Sequence, residues 1–442
     1  METKKMSVGT LVEIGLFFCV SYAFLPIIRV TPTFVRAIWR LIPEACLLLV
    51  VLMTKKTVIR NSFFIVTAFS IFIAIMRSLV YANGIVESYL TNIANSILYW
   101  HYIVYFFCIV IYLKEAKARK LFNFSIKLII LTCFTTSIGN LIFPEMSRYS
   151  SSFLVNDFAY YKYNVGAYAF IYAIVFVLAI LLALIADKKK TTIKEHRLYL
   201  VCAGLIVACI ILSQYMTALS LILIAVVIMV LFRNQPIIVK AIIIAIVLLA
   251  FLFIQPILQI LLRLMETLGF ESLAERVGGI SNALFQEGSY GDVMARMHLY
   301  RISLQYFWKN PFFGLVGYNG FKRVEPLTAT RMLNMLIPNV LGVGQHSDLI
   351  DLLGGNGLVG VSAFVFMMLY FYKKQRRFTQ KHNDFLSFMR VNLLIYIIYG
   401  IFDHSFSCID VAIALFALPA VAYKGFLTSN EEPSAEIRKP EY

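Results

Sequence analysis

Charged residues are scarce in this sequence. They make up only 14% of the 442 residues, whereas hydrophobic residues make up 60%. A soluble domain of this length needs more polar side chains to cover its surface, so the composition excludes one. The chain is therefore predicted to be an integral membrane protein.

The alternating pattern of roughly ten residues that marks a membrane barrel is also lacking. Apolar runs of about 17 to 25 residues recur instead, and each is long enough to cross the hydrocarbon layer as a helix. The fold class predicted is an all-α integral membrane protein, in which the first apolar run stays as a helix because no cleavage site follows it. Twelve helices are predicted, over residues 7–25, 34–53, 62–81, 95–113, 121–142, 164–186, 198–213, 215–232, 237–262, 347–372, 386–404 and 407–424.

Cysteine is absent from the longest polar segment, residues 263–345, and all seven cysteines fall in apolar runs. A disulfide framework is therefore not expected. The net charge of +16 could suggest nucleic acid as a partner. Lysine and arginine gather in short clusters beside helix ends, however, which is a signal of membrane topology, so no nucleic acid is expected.

The charge clusters predict the topology. Placing Lys4 in the cytoplasm puts the basic clusters within 55–60, 114–120, 188–197, 233–240 and 373–377 on that side, with both termini inside, as in a multi-pass protein of the bacterial inner membrane. Residues 1–262 would then hold helices one to nine, 263–345 one large extracytoplasmic loop before helix ten, 346–424 the last three helices and 425–442 a cytoplasmic tail. The loop has eight basic and six acidic residues, and a loop of this length and mixed charge is more often functional than a connector.

Two motifs stand out around this loop. The first, RMHLYRISLQYFWKNPFFGLVGYNGF, begins at Arg296 and predicts an amphipathic helix that ends at Asn310-Pro311. The second, GQHSDLIDLLGGNGLVG, brings His346 to the start of a helix whose glycines allow a neighbour to approach closely.

With these motifs the chain resembles the O-antigen ligase and Wzy-type polymerase family of bacterial surface polysaccharide assembly. An Arg-led helix runs into an Asn-Pro-x-x-Gly turn, and a His-Ser-x-Leu stretch then enters the next helix, matching His346, Ser347, Leu349, Leu352, Gly357 and Gly360. Two features depart from the family pattern. Gly314-x-x-Gly317 replaces Gly-x-Gly, and SQYMTAL (Ser213 to Leu219) replaces a Ser-Arg in the hairpin between helices seven and eight.

The resemblance implies transfer of a glycan from an undecaprenyl-pyrophosphate carrier to a sugar hydroxyl. It assigns His346 as the group that accepts the proton of the attacking hydroxyl and Arg296 as a group that pairs with the pyrophosphate. No cofactor and no metal are needed. The expected partners are undecaprenyl-pyrophosphate-linked oligosaccharide and membrane lipid, and the candidate protein partners are a chain-length regulator and a flippase.

Charge placement adds three candidates independently of the family. Arg29, Arg36 and Arg40 lie at the predicted outer end of the second helix, where arginine should be rare. We expect them to hold the lipid-linked pyrophosphate, because arginines within a membrane usually face a cavity or a partner. The alternative is that Arg40 pairs with Glu44 while Arg29 and Arg36 reach lipid headgroups.

The remaining candidates are weaker. Arg301 could take the pyrophosphate-binding role assigned to Arg296. Arg77 and the last outer turn could line the same cavity, or their charged groups could form ion pairs that serve only the structure. That turn carries Asp403, His404 and Asp410. Arg323 is included as a substrate-binding candidate, although it and His298 are more typical of surface groups. His101 is expected to pack among the aromatic residues Trp100, Tyr102 and Tyr105.

These observations favour a polymerase that joins lipid-linked oligosaccharide repeat units into O-antigen or capsular polysaccharide at the outer leaflet. Polymerase is preferred to ligase because the Ser-Arg hairpin is missing. A flippase or other transporter is the main alternative. The single long loop late in the chain and the lack of an internal repeat both argue against a carrier built from two halves. A scaffold without catalysis would leave the arginines unexplained.

Overall fold

The computed structural model describes residues 7–81, 86–142, 163–186, 191–232, 236–285, 292–318, 347–379, 383–403 and 408–427. Within these ranges the chain forms helices and no strand, which confirms the all-α fold class. Helices α1 to α9 are Val8–Phe24, Thr33–Met53, Thr57–Tyr81, Val86–Trp100, Tyr102–Tyr112, Glu115–Ile142, Tyr168–Ala186, Ile193–Leu212 and Met216–Phe232. Helices α10 to α16 are Ile237–Leu252, Ile254–Thr267, Glu271–Phe285, Asp292–Lys309, Gly314–Tyr318, Asp348–Thr379 and Asn383–Phe402. Helix α17, Ile409–Leu427, includes two π-helical turns.

Many of these helices suit a membrane. Seven helices in the described part of the chain are long and apolar enough to cross one, and four shorter helices are also apolar. The protein is therefore a multi-pass helical membrane protein. The count of twelve spans and the outer position of the loop stay predictions.

The centre of the bundle is formed by helices that are apolar on every side. In α5 every residue from Tyr102 to Ile109 is buried, and α7 and α17 are almost as fully enclosed. A helix without a polar face can be covered only by neighbours or by lipid, so these helices take the middle. Helices α2 and α10 lie at the periphery, with large apolar side chains such as Leu52 and Ile242 exposed.

The bundle has two chemically different ends. One end, here called the basic end, carries the described basic clusters, and Arg119 there donates from two nitrogens to Glu195. Thr192 and Glu195 also form a capping box at the start of α8. The opposite end, here called the loop end, is where α10 leads into the segment 253–347.

One predicted helix is divided in the structure. The helix predicted over 237–262 is broken at Phe253, whose φ of −102° and ψ of 26° are not helical. The helix predicted over 95–113 continues through His101, whose φ of −61° and ψ of −17° are helical, so α4 and α5 share one apolar span over Ile93–Tyr112. An apolar run has the same period on both sides of a break such as Phe253, so periodicity does not mark it. The break separates α10 from the amphipathic helix α11, which packs against α12.

Candidate functional site

The described part of the loop segment is anchored on α15. Helix α13 packs along α15, and the buried hydroxyl of Ser303 lies 3.4 Å from Oδ1 of Asp351. A Cβ added to Gly354 would lie only 2.6 Å from the carbonyl oxygen of Ser303. The glycine therefore lets the two backbones touch, as the sequence predicted for this glycine-rich stretch.

The Asn-Pro motif forms a tight turn at the end of α13. The amide oxygen Oδ1 of Asn310 accepts from the backbone N–H of Phe313 at 3.1 Å, and the N–H of Gly314 donates to the carbonyl of Asn310 at 2.7 Å. Gly314 has a φ of +57°, and a Cβ there would lie 2.3 Å from the carbonyl oxygen of Gly354. Only glycine can adopt this left-handed backbone and also allow such a close approach, because it has no Cβ.

This turn docks into a break in α15 at Gly357, where φ is 63° and ψ is −157°. The backbone N–H groups of Leu358 and Val359 donate to the carbonyls of Pro311 and Phe312, at 2.8 and 3.1 Å. The break removes their partners within the helix, and the turn supplies replacements. The two sequence motifs are therefore one structural unit.

The predicted arginines Arg29 and Arg40 meet at the loop end. Their guanidinium carbons lie 5.5 and 5.6 Å from the centre of the same ring, that of Tyr22. Arg29 also forms an ion pair with Asp410, which is fully buried at the start of α17. Arg40 has no ion pair with any residue in the described ranges. Arg29 is thus paired directly with a carboxylate, whereas Arg40 acts on Asp410 only at longer range.

The alternative in which Arg40 pairs with Glu44 is wrong. Oε2 of Glu44 lies 2.7 Å from Nδ1 of His101, and Nε2 of His101 lies 2.9 Å from the hydroxyl of Thr67. His101 does lie against an aromatic ring, that of Phe63 with ring centres 4.9 Å apart, but its polar partners were not expected. The sequence around His101 shows its aromatic neighbours but not a carboxylate that arrives from another helix.

The other predicted site residues are placed as follows. Arg36 donates to Thr33 within its own helix, Arg301 is exposed on α13, and Arg296 is half-buried on the same helix. Arg77 lies near the end of α3, but its side chain is outside the described part of the structure. His346, Arg323 and His404 also lie outside the described residues.

Aspartates accumulate at the loop end beside these arginines. Asp348 and Asp351 are buried in the first turn of α15, and the N–H of Asp348 lies 3.4 Å from the carbonyl of Asp403. Asp403 also accepts from the hydroxyl of Tyr172 at 3.0 Å. The sequence analysis included Asp403 but missed Asp348 and Asp351. Their position at the start of a predicted membrane helix was the signal that could have revealed them.

The electrostatic environment of Arg296 is visible at Tyr300, one turn further along α13. Burial raises the pKa of Tyr300, Arg296 opposes the shift, and the carboxylates of Asp403 and Asp351 add to it. The phenol therefore stays protonated at neutral pH, and its hydroxyl lies 3.4 Å from the carbonyl of Phe402. Arg296 and the aspartates thus share one electrostatic neighbourhood.

The hairpin between α8 and α9 carries no cation among residues 213–217. Gln214 adopts a left-handed backbone with a φ of 55°, and its side-chain oxygen is buried without a hydrogen-bond partner in the described residues. Ser213 accepts from Asn140 at 2.9 Å. The departure from the Ser-Arg pattern therefore leaves this hairpin polar but uncharged.

Taken together, the fold defines a multi-pass α-helical membrane protein whose late loop segment is locked into a broken helix. Residues 198–365 match the family model described as O-antigen ligase. The match confirms the resemblance predicted from the motifs. It spans the docked unit, that is, the Asn-Pro turn together with the break in α15 at Gly357. A comparison with curated proteins found no match.

The family relates the chain to membrane glycosyltransferases of the ligase and polymerase type, which act on lipid-linked glycans. Arg29, Arg40 and Asp410 lie outside the matched residues. Within the described ranges, no group of three or more His, Cys, Asp or Glu residues is arranged to hold a metal ion.

The Arg29–Asp410 pair leads to a prediction about stability. Replacing Asp410 with asparagine should lower the free energy of unfolding by about 3 kcal/mol, because the change removes a fully buried carboxylate that pairs with the largely buried guanidinium of Arg29. The double variant Arg29→Met, Asp410→Leu should recover most of this loss. Thermal unfolding of purified protein in detergent measures both effects.

A matched control is available at the basic end. Glu13→Gln removes an ion pair with Lys117 in which both side chains are more than a third exposed, so stability should change by less than about 1 kcal/mol. Equal melting temperatures for Asp410→Asn and Glu13→Gln would contradict the larger contribution to stability that is expected from the buried pair.

Proposed function

We propose that this protein is a polysaccharide polymerase of the bacterial inner membrane, with both termini in the cytoplasm. It joins undecaprenyl-pyrophosphate-linked oligosaccharide units at the outer leaflet. The observation that carries the proposal is the placement of Arg29 and Arg40 around Tyr22, because it puts two guanidinium groups, which pair well with phosphate oxygens, at one end of an apolar bundle.

The surroundings of Arg40 suit a lipid that has a charged head. Arg40 lies on the rim of a small pocket between α1, α2, α4, α5 and α17, and most of the other lining groups are apolar or aromatic. The lining residues are Cys19, Tyr22, Trp39, Arg40, Pro43, Leu98, Tyr102 and Ile409. Helix α2 packs mainly on α1 and exposes Phe34 and Leu41. A prenyl chain could therefore enter from the lipid beside α2 while its pyrophosphate stays at the arginines.

The chemistry assigned to the site is a single displacement. The bond between the anomeric carbon and the pyrophosphate oxygen breaks, and a bond to the acceptor hydroxyl oxygen forms. His346 accepts the hydroxyl proton, and the pyrophosphate leaves with the bonding electrons. Arg40 and Arg296 stabilise the negative charge that grows on the leaving group, which lowers the barrier because that charge is largest in the transition state.

Polymerase is preferred to ligase because of the hairpin at Ser213-Gln214. Without an arginine there, the pyrophosphate must be held by cations from other helices, and Arg40 is available at the same end of the bundle. The two reactions differ only in the acceptor. A flippase for the same lipid is a second candidate, since the arginines at the loop end would also contact the pyrophosphate of a lipid in transit.

The test is polymerisation by purified protein of a synthetic lipid-pyrophosphate repeat unit. The wild type should produce a ladder of longer glycans, and His346→Ala should abolish it because no group then accepts the hydroxyl proton. His298→Ala, a change at an exposed histidine of α13, should leave the ladder unchanged.

The other outcomes separate the alternatives. Glycan transfer only after a different acceptor is added would identify a ligase. Flipping of labelled lipid without any longer product would identify a transporter. A full ladder from His346→Ala would refute the assigned proton acceptor.

A further inference from the structure

Helix α11 has three chemically different faces. Leu258 is buried against α12, and Leu262 lies on the same side, beside Gly278. A second face carries the exposed polar residues Gln255, Gln259, Arg263 and Glu266. A third face is exposed and apolar, with Phe253, Ile257, Ile260, Leu264 and Leu268 aligned at helical spacing. The third face has no partner among the described residues.

The apolar face continues a surface that already meets lipid. Only Phe253 separates α11 from α10, one of the shorter apolar helices of the bundle. Helix α10 exposes Ile242, Ile246 and Leu252. The exposed stripe of α11 therefore begins where the lipid-facing side of α10 ends.

The length and charge of the helices fix the depth of this stripe. The 16 residues of α10 extend roughly 24 Å, somewhat less than the hydrocarbon thickness of about 30 Å, so α10 ends near the boundary. The charged side chains of Arg263 and Glu266 make it unfavourable for α11 to lie in the hydrocarbon core. Ile260 is 65% exposed, so it is also unfavourable for α11 to be fully immersed in water.

We infer that α11 lies in the membrane interface, with its apolar face in the acyl chains and its polar face in water. The α11–α12 hairpin is then a lipid-binding element of the loop segment. Because α12 also packs against α13, lipid contact holds α13 and Arg296 near the level of the headgroup phosphates. The lipid contact itself does not depend on the proposed polymerase activity.

The test uses spin labels on the full-length protein in phosphatidylethanolamine–phosphatidylglycerol nanodiscs. Ile260→Cys and Gln259→Cys are adjacent, exposed positions on different faces, so each serves as the control for the other. Molecular oxygen concentrates in lipid. It should therefore increase the spin relaxation rate of the label at position 260 more than a water-soluble nickel complex does. The label at position 259 should show the opposite order.

Two outcomes would overturn the inference. Access of the nickel complex to both positions would place the stripe in water. Protection of position 260 from both reagents would mean that protein covers it. Six of the seven native cysteines are buried, so the unmodified protein, labelled in parallel, measures the background. Loss of glycan polymerisation would not affect this readout.

Discussion

Replacing Arg40 with alanine is expected to lower kcat/KM for the lipid-pyrophosphate donor by about a hundredfold or more. The guanidinium has no ion pair within the described residues and lies 5.6 Å from the centre of the Tyr22 ring, so its N–H groups can donate to an anionic ligand. Arg40→Lys keeps the charge but loses the two parallel hydrogen bonds that guanidinium makes with phosphate oxygens. Its activity should therefore fall between those of the wild type and Arg40→Ala.

The control for this experiment is Arg376→Ala. Arg376 is exposed near the end of α15 at the basic end, so activity should stay within about twofold of the wild type if the predicted topology separates it from the donor. Melting temperatures of all variants should be similar, because no ion pair is broken at Arg40. Wild-type activity in Arg40→Ala would remove Arg40 from the proposed phosphate site.

Replacing Gly357 with alanine is expected to lower the free energy of unfolding by about 2 to 5 kcal/mol. The backbone at this residue has φ 63° and ψ −157°, a region that is almost closed to residues with a Cβ. The added methyl would also lie 2.4 Å from the backbone of Phe312. The turn must then move away from α15, which breaks the hydrogen bonds to Leu358 and Val359.

Thermal unfolding in detergent measures this effect, and Gly204→Ala is its matched control. Gly204 lies in α8 with no heavy atom within 4 Å of an added Cβ, so alanine there should raise stability by about 0.5 to 1 kcal/mol. We expect Gly357→Ala to lose polymerisation as well, because Arg296 is positioned through the same docked unit. An unchanged melting temperature would show that the turn and the broken helix are not coupled.

The motifs at the Asn-Pro turn and in α15 could be recognised from the sequence, but their contact could not. Pro311 and Gly314 predict a turn, and the glycines of α15 predict close approach by a neighbour. Which backbone approaches, and that it replaces the lost partners of Leu358 and Val359, depends on chain segments distant in sequence. The hydrogen-bond pairing of Glu44 with His101 was missed for the same reason.

The arginines show a similar division. Their unusual positions in the second helix predicted that Arg29, Arg36 and Arg40 are special, since charge is costly near hydrocarbon. Local sequence offered Glu44, one turn away, as the alternative partner of Arg40, because only partners within a helix can be inferred from spacing. The structure instead pairs Arg29 with Asp410, 381 residues away in sequence.

By itself, the sequence determined the class of protein, the positions of most helices and the family, because long apolar runs, basic clusters and turn residues act locally. The tertiary structure alone decided which charges neutralise each other, where α15 breaks and how α11 is divided from α10. These features depend on which helices become neighbours, and that is set by packing of the whole bundle.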